Sequence, residues 1–439
     1  MRGRQVSLGT FRRAAAASVV LGVVGSLAAG PAYAAAPTPT PSASDSAPRW
    51  SPIGIAAAGE CKFPSENVQG TPWALQRVLL NELWKDGRTG KFAKDGPGGK
   101  KGEPVKVAVI DTGVDDRNPQ LAGKVEDGGS LLPVKQPGQK DDGKTDTVGH
   151  GTKVAGIIAA KPITGTGFVG LAPEAAILSI KQNDDQGSGS VQSLIDAIGA
   201  AITKGADVIN ISQDVRAEGD SSDFALKDQL ETAVKAAEQQ GVVVVASSGN
   251  DGREGDTYPA AFKSVLAVGA SDRNNERAPF SEYGQFVDIA APGVDMLSTV
   301  PAGGQCVDNG TSFSAPYVAG VAALLRGAYP DWSAAQIRAR IEQTAQRTQR
   351  GADKFIGWGV VDPVKAVQSG DEQLPEAHED PKVAIDRAPV VAQPLGLAET
   401  QADRDRRTGT FVLGGGVLAV AALAGGSVVL RDHRRRREG

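Results

Sequence analysis

Val105-Lys106-Val107-Ala108-Val109-Ile110-Asp111-Thr112-Gly113 is an apolar run that stops at an acid and a turn residue. A strand with one wet face alternates polar and apolar residues, whereas a strand buried on both faces reads as a continuous apolar run. Four more runs share this texture, at residues 176–180, 208–211, 242–246 and 265–268. Amphipathic stretches at 191–202 and 226–239 lie between them at helical spacing. Helices that cross over between doubly buried strands make the sheet parallel and cover both of its faces. The fold class is α/β, beginning at Val105 and fading after Val367.

The ends of the 439-residue chain have a different texture. Arg4, Arg12 and Arg13 precede an apolar run, 14–29, and small residues at A-x-A spacing follow it. This pattern predicts a secretory signal over 1–36, with a first membrane helix as the alternative. Residues 37–48 are rich in Pro, Ser, Thr and Ala and open a linker and N-terminal extension, 37–70. The positions Trp73, Leu75, Val78, Leu79, Leu83 and Trp84 have a helical pattern, and 87–103 is a Gly- and Lys-rich loop. A body over 71–368 is followed by a Pro-, Asp- and Glu-rich stretch, 369–410, that reads as a flexible stalk. Residues 411–430 then carry no charge, and at 1.5 Å per residue they span about 30 Å, the thickness of a bilayer core. Arg431 and Arg434 to Arg437 follow at once, which predicts a transmembrane helix with a cytoplasmic basic tail, 431–439. A buried soluble helix is the alternative for this stretch.

The two ends carry +4 and +3 of a chain whose net charge is −4. The middle is therefore acidic, which argues against a nucleic-acid partner. The only cysteines are Cys61 and Cys306. Between an export signal and a membrane anchor a disulfide is expected, and two free thiols are the alternative.

In parallel sheets, sites form beyond the carboxyl ends of the strands. Asp111-Thr112-Gly113 ends the first run and Gly249-Asn250 ends the fourth. Gly149-His150-Gly151-Thr152 precedes a helical pattern at 154–160, and Asn309-Gly310-Thr311-Ser312 precedes another at 316–325. That second helix is expected to begin close to Pro316, since proline is tolerated in a first turn. Each feature has a plain structural reading as a strand end, a turn or a helix cap. Together they supply four parts of one chemistry. A serine hydroxyl needs a base, and histidine has the pKa for it. A buried carboxylate fixes the imidazole tautomer, and a helix N-terminus with an Asn amide offers donors to an oxyanion. His150 is the only histidine between residues 37 and 370.

The stretches Val107-Ala-Val-Ile-Asp-Thr-Gly-Val114, His150-Gly-Thr-Lys-Val-Ala-Gly156 and Gly310-Thr-Ser-Phe-Ser-Ala-Pro316 resemble the subtilisin-like serine proteases over roughly residues 70–368. The resemblance implies a subtilisin-like fold, a serine endopeptidase acting on protein or peptide substrates, and the triad Asp111, His150 and Ser312. It implies Asn250 as the oxyanion asparagine. It also makes Gly187, Ser188 and Gly189 a strand that pairs with substrate, and places Ser212 and Gly249 at the pocket for the residue before the scissile bond. The layout is similar to the mycosins, membrane-anchored proteases associated with type VII secretion. The shared features are the signal, the extension with Cys61 and Pro72-Trp73-Ala74-Leu75-Gln76-Arg77, the Gly-Thr-Ser-Phe motif and the basic-ended span. This implies a protease on the outer face of the cytoplasmic membrane that processes exported proteins and helps stabilise a type VII secretion membrane complex. The alternative is a mainly structural subunit of that complex.

Three departures qualify the resemblance. Ser212-Gln213-Asp214 replaces the usual pocket strand Ser-Leu-Gly. Pro119-Gln120-Leu121 stands where many relatives have a calcium-ligating Asp, and residues 161–167 lack carboxylates, so no metal and no cofactor is expected. The extension is too short for a folding-assisting prodomain and is expected to wrap the body. A bridge Cys61–Cys306 would pin it six residues before Ser312. Asp111-Thr112-Gly113 also matches aspartic proteases, but no second such motif exists to supply the partner carboxylate.

Overall fold

The computed structural model describes residues 52–53, 61–92, 103–133, 142–215, 224–382 and 399–437. The expected signal sequence and most of the linker lie outside them. The chain forms two units, one to Thr348 with Ala352–Ala377, the other Gln349–Gly351 with the residues from His378 onward.

In the first unit, strand β1 (Pro52–Ile53) precedes two short helices, α1 (Trp73–Gln76) and α2 (Leu80–Leu83), and a 3₁₀ turn. Then follow β2 (Lys106–Asp111), β3 (Val125–Ser130), α3 (His150–Ala159), β4 (Ala176–Lys181), β5 (Gly189–Ser190), α4 (Val191–Thr203) and β6 (Val208–Ile211). Helix α5 (Lys227–Gln239), β7 (Val243–Ser247), β8 (Val265–Ser271), β9 (Ile289–Pro292), β10 (Met296–Thr299) and β11 (Gln305–Asp308) come next. Helices α6 (Thr311–Ala328), α7 (Ala334–Gln343) and α8 (Pro363–Gln368) close the unit.

Seven strands form one sheet in the order β3-β4-β2-β6-β7-β8-β9, with every pair parallel. Side chains alternate across it. Val107 and Val109 of β2 face a core shared with α3, α6 and α7, while Ala108 and Ile110 face one shared with α4 and α5. The expected α/β fold, with helices on both faces, is what the chain forms. Ser190 caps α4 reciprocally with Ser193, which sets the start of that helix at the end of β5.

The helices that follow the extension join the same core, where Leu75, Val78 and Leu83 are buried, and the extension itself is tied on by hydrogen bonds. Val68 N donates to Gln305 Oε1 at 2.8 Å and Ser65 N to Gly303 O at 3.0 Å. Cys61 and Cys306 are joined as a disulfide, with Cα atoms 6.2 Å apart.

Two helix starts differ from the sequence reading. Helix α3 begins at His150 itself, four residues before its apolar pattern. Helix α6 begins at Thr311, so Ser312 lies inside it and Pro316 is interior, not in the opening turn. Pro316 has no N–H for the Ser312 carbonyl. That carbonyl instead accepts the Ser212 hydroxyl at 2.8 Å, so the lost helical bond is replaced from β6's end.

In the second unit, α9 (Gln401–Arg435) is exposed throughout and is long and apolar enough to cross a membrane. It starts ten residues before the uncharged run, with Thr400 accepting Asp403 N as its cap. The flexible stretch expected over 369–410 therefore gives way to helix at Gln401. Its start is also held, since Arg340 donates to Gly370 O at 2.8 Å.

Candidate active site

Asp111 is the last residue of β2 and His150 the first of α3, and both are 1% exposed. They meet because α3 approaches the end of β2 with no side chain in the way: a Cβ on Gly151 would collide with Gly113 O. His150 Nδ1 lies 2.8 Å from Asp111 Oδ1 and 2.9 Å from Oδ2. Thr112 N donates to Oδ1 at 2.7 Å, so the carboxylate is held from its own strand end as well. An acid on Nδ1 fixes the tautomer that leaves Nε2 as the acceptor. Nε2 is buried without a hydrogen-bond partner. The Phe313 ring packs against the imidazole at 5.4 Å between centroids.

Ser312 is 3% exposed, in the first turn of α6. Its Oγ donates to Ser212 O at 3.1 Å, while Ser212 Oγ donates to Ser312 O at 2.8 Å. Asn210 Nδ2 in turn donates to Ser212 Oγ at 2.9 Å. The nucleophile candidate is thus tied twice to the end of β6. Asn250 follows β7, and its Oδ1 accepts Thr311 N at 2.8 Å and Thr311 Oγ1 at 3.0 Å. With the oxygen fixed on the residue before Ser312, the amide NH₂ is turned away from that contact. Gly249 beside it has φ +104°, and a Cβ there would strike the Glu282 carboxylate.

The sheet thus brings Asp111, His150, Ser312, Asn250, Ser212 and Gly249 to one end. The segment Gly187, Ser188 and Gly189 lies at the rim. Gly187 closes a turn through Asp185 and Gln186, its N donating to Asp184 O at 2.9 Å, and Asp184 N donates to Ser188 O at 2.8 Å. Gly189 opens β5, which pairs antiparallel with Pro52–Ile53, so this edge already accepts an added strand. A cleft of about 530 Å³ beside it is lined by Leu131, Pro133, Gln182, Asp184, Gly189 and Asp196. Gln213 Nε2 is bonded to Gln182 Oε1 at 2.5 Å, which occupies the departure from Ser-Leu-Gly.

Two features escaped the sequence reading. Asp146 is buried beside Asp111 and His150, and its carboxyl is raised, because burial outweighs the hydrogen bonds from Thr152 and Gly149 that pull it down. Lys153, on α3, makes a buried ion pair with Asp308 at 2.7 Å. Gln120 fills the position of the expected missing calcium ligand. Its Nε2 donates to Lys161 O at 3.0 Å and Phe168 O at 2.9 Å. Among the described residues no cluster of His, Cys, Asp or Glu is built to hold a metal.

A seven-stranded parallel sheet with Asp, His and Ser at its carboxyl end defines a serine endopeptidase of the subtilisin type. The chain belongs to the subtilase family, whose model matches residues 102–359. It is 41% identical over 305 residues to subtilisin of Bacillus pumilus, covering 69% of this chain and all of that protein. Subtilisin NAT of Bacillus subtilis subsp. natto is 37% identical, over 72% of this chain and 76% of the relative. Among solved structures it is similar to the MycP3 protease from the type VII (ESX-3) secretion system, with TM-score 0.61, 30% identity, and 74% and 95% of the two chains covered. MycP1 from Mycobacterium smegmatis matches with TM-score 0.60 at 29% identity, over 78% and 95%. The mycosin likeness read from the layout is met by these structures.

Proposed function

We propose that Ser312 is the nucleophile, His150 its general base, Asp111 the group that orients the base, and Asn250 a donor to the oxyanion. The observation that carries this is the contact of one imidazole nitrogen with both Asp111 oxygens, in a buried site whose other nitrogen has no partner. Rotation about the Ser312 side chain releases Oγ from Ser212 O and brings its proton to Nε2. A substrate N–H pairing with the Ser212 carbonyl would favour that release. Gly189, with Gly187 and Ser188 behind it, is the edge that a substrate strand extends, and Ser212 and Gly249 bound the pocket before the scissile bond.

The catalytic unit works on the outer face of the cytoplasmic membrane, tethered by residues 411–430, with residues 431–439 inside. The disulfide favours an oxidising compartment, and the arginines after the apolar run favour this orientation. The substrates are proteins exported nearby, and the similar MycP1 and MycP3 support a place beside a type VII secretion complex. Two experiments test the reading. Ser312→Ala or His150→Ala in the full-length protein should abolish nearly all peptide-bond cleavage with the fold retained; full activity in either refutes the triad. Protease added to intact spheroplasts should release the catalytic unit and spare the basic tail. A protected catalytic unit refutes the topology.

A further inference from the structure

Asp146 lies four residues before His150 and is 4% exposed, yet its carboxylate accepts five hydrogen bonds. Thr112 Oγ1 at 2.9 Å, Val148 N at 3.1 Å and Gly149 N at 2.7 Å donate to Oδ1. Thr152 N at 2.9 Å and Thr152 Oγ1 at 2.6 Å donate to Oδ2. Three of these donors are backbone groups of the turn before α3 and of its first turn. The carboxylate therefore clamps the start of the helix whose first side chain is His150.

Thr112 links this carboxylate to Asp111. Its hydroxyl oxygen lies 2.9 Å from Asp146 Oδ1 and 3.3 Å from Asp111 Oδ1, and it accepts Gly151 N at 3.0 Å. A hydroxyl has one proton, and the shorter contact takes it. Asp111 is then left with two donors, Thr112 N and the imidazole N–H, and the second spans both of its oxygens. Without Asp146 the Thr112 proton would turn to Asp111. Hydrogen bonds to a carboxylate stabilise its charge, so a further donor weakens its hold on an imidazolium.

We propose that Asp146 is a positioning residue for the reaction: it holds the Thr112 proton off Asp111 and fixes the helix start that presents His150. This rests on the triad reading above. The test uses the full-length protein in detergent and a chromogenic peptide anilide cleaved by the wild type, in a preparation where Ser312→Ala is shown to be inactive. Asp146→Ala should lower kcat about 10- to 100-fold, taking as a guide the losses seen for partners that orient metal-bound imidazoles, with KM within about twofold. Adding Thr112→Val to Asp146→Ala should cost nothing further or restore part of the loss, because the misdirected proton is gone. Strictly additive losses, or a rise in KM with kcat unchanged, overturn the proposal. If Asp146→Ala does not fold, Asp146→Asn carries the test. It keeps one acceptor for Thr112 and should lower kcat less than tenfold at unchanged KM, and a KM effect alone again overturns the proposal. Activity surviving in Ser312→Ala would instead refute the triad, so the two failures are distinguishable.

Discussion

Two pairs of carboxyl groups in the catalytic unit differ in the hydrogen-bond donors that face them. At the end of β2, Asp111 and Asp146 are 1% and 4% exposed, and every carboxylate oxygen has at least one donor. Across the sheet, the Asp288 side chain before β9 accepts one backbone N–H, from Ala267 at 2.8 Å. Its neighbour is Glu342 of α7. Burial pushes Asp288 up to about 8; the Glu342 charge adds to this, while the Ala267 N–H and Arg338 oppose it. Burial likewise pushes Glu342 up to about 7. What differs between the pairs is the supply of donors to the charged form. A perturbed pKa is a pointer to function only when geometry agrees. Burial raises Asp146 beside the proposed site as well, with hydrogen bonds from Thr152 and Gly149 opposing it, so a raised carboxyl alone does not mark the site, which is recognised by its donors.

The comparison would break most visibly at Lys153 and Asp308, a buried charge pair on the site side, 1% and 5% exposed. Removing one partner leaves the other a buried charge without this counter-ion. Lys153→Ala or Asp308→Ala should cost about 3–5 kcal/mol in urea unfolding, whereas Lys153→Met with Asp308→Leu together should cost much less. A single variant within about 1 kcal/mol of wild type would show that this pair does not need its partner. Next in size is Asn250→Ala, which removes the proposed oxyanion donor and leaves the charges of the site intact. Turnover should fall about 10²- to 10³-fold, roughly 2.7–4 kcal/mol, because the oxyanion exists only near the transition state. An effect confined to KM would refute that role.

These two sites also mark the limit of what the sequence conveys. The five apolar runs were legible because doubly buried strands admit little else, and their observed ends differ by at most three residues. Strand β3 was not, since Val125–Ser130 is an edge with one neighbour and Glu126 to Ser130 at least partly exposed. Strands β9 to β11 are four residues each and carry no run long enough to register. The proposed triad and Asn250 stood out because each abuts a strand end or helix start. Lys153 did not, because a lysine in a helix reads as its wet face until a carboxylate 155 residues away is placed on it. Asp146 reads as a loop residue for the same reason: its meaning comes from Thr112, on another segment.

The Asp288–Glu342 pair predicts a pH dependence of stability with a definite sign. Unfolded carboxyls titrate near 4, and these folded ones nearer 7 to 8. Between those values the native state holds protons that the unfolded chain has released. Their contribution is full below about pH 4 and is lost as pH rises through 7 and 8. The melting temperature should therefore fall between pH 6 and 9, and Asp288→Asn should flatten that limb. A limb unchanged by Asp288→Asn would mean that this pair does not hold the protons.

The smallest expected effect is that of removing divalent cations, and it extends the same comparison to a place where an amide replaces a charge. Gln120 Nε2 donates to Lys161 O and Phe168 O, and its Oε1 accepts Gln305 Nε2 at 2.7 Å. Gln305 Oε1 in turn accepts Val68 N of the extension at 2.8 Å. Carbonyl oxygens that converge on one point need a cation or an N–H group between them. Here the amide supplies the N–H groups, so the loop closes without net charge. EDTA or added calcium should move the melting temperature by less than about 1 °C, since a bound ion would stabilise in proportion to its occupancy. Gln120→Asp sharpens the test. A carboxylate facing two carbonyl oxygens loses both donors and gains repulsion, so this variant should melt lower than wild type and recover in calcium. A wild-type protein that melts lower in EDTA would show that a cation, and not the Gln120 amide, closes the loop.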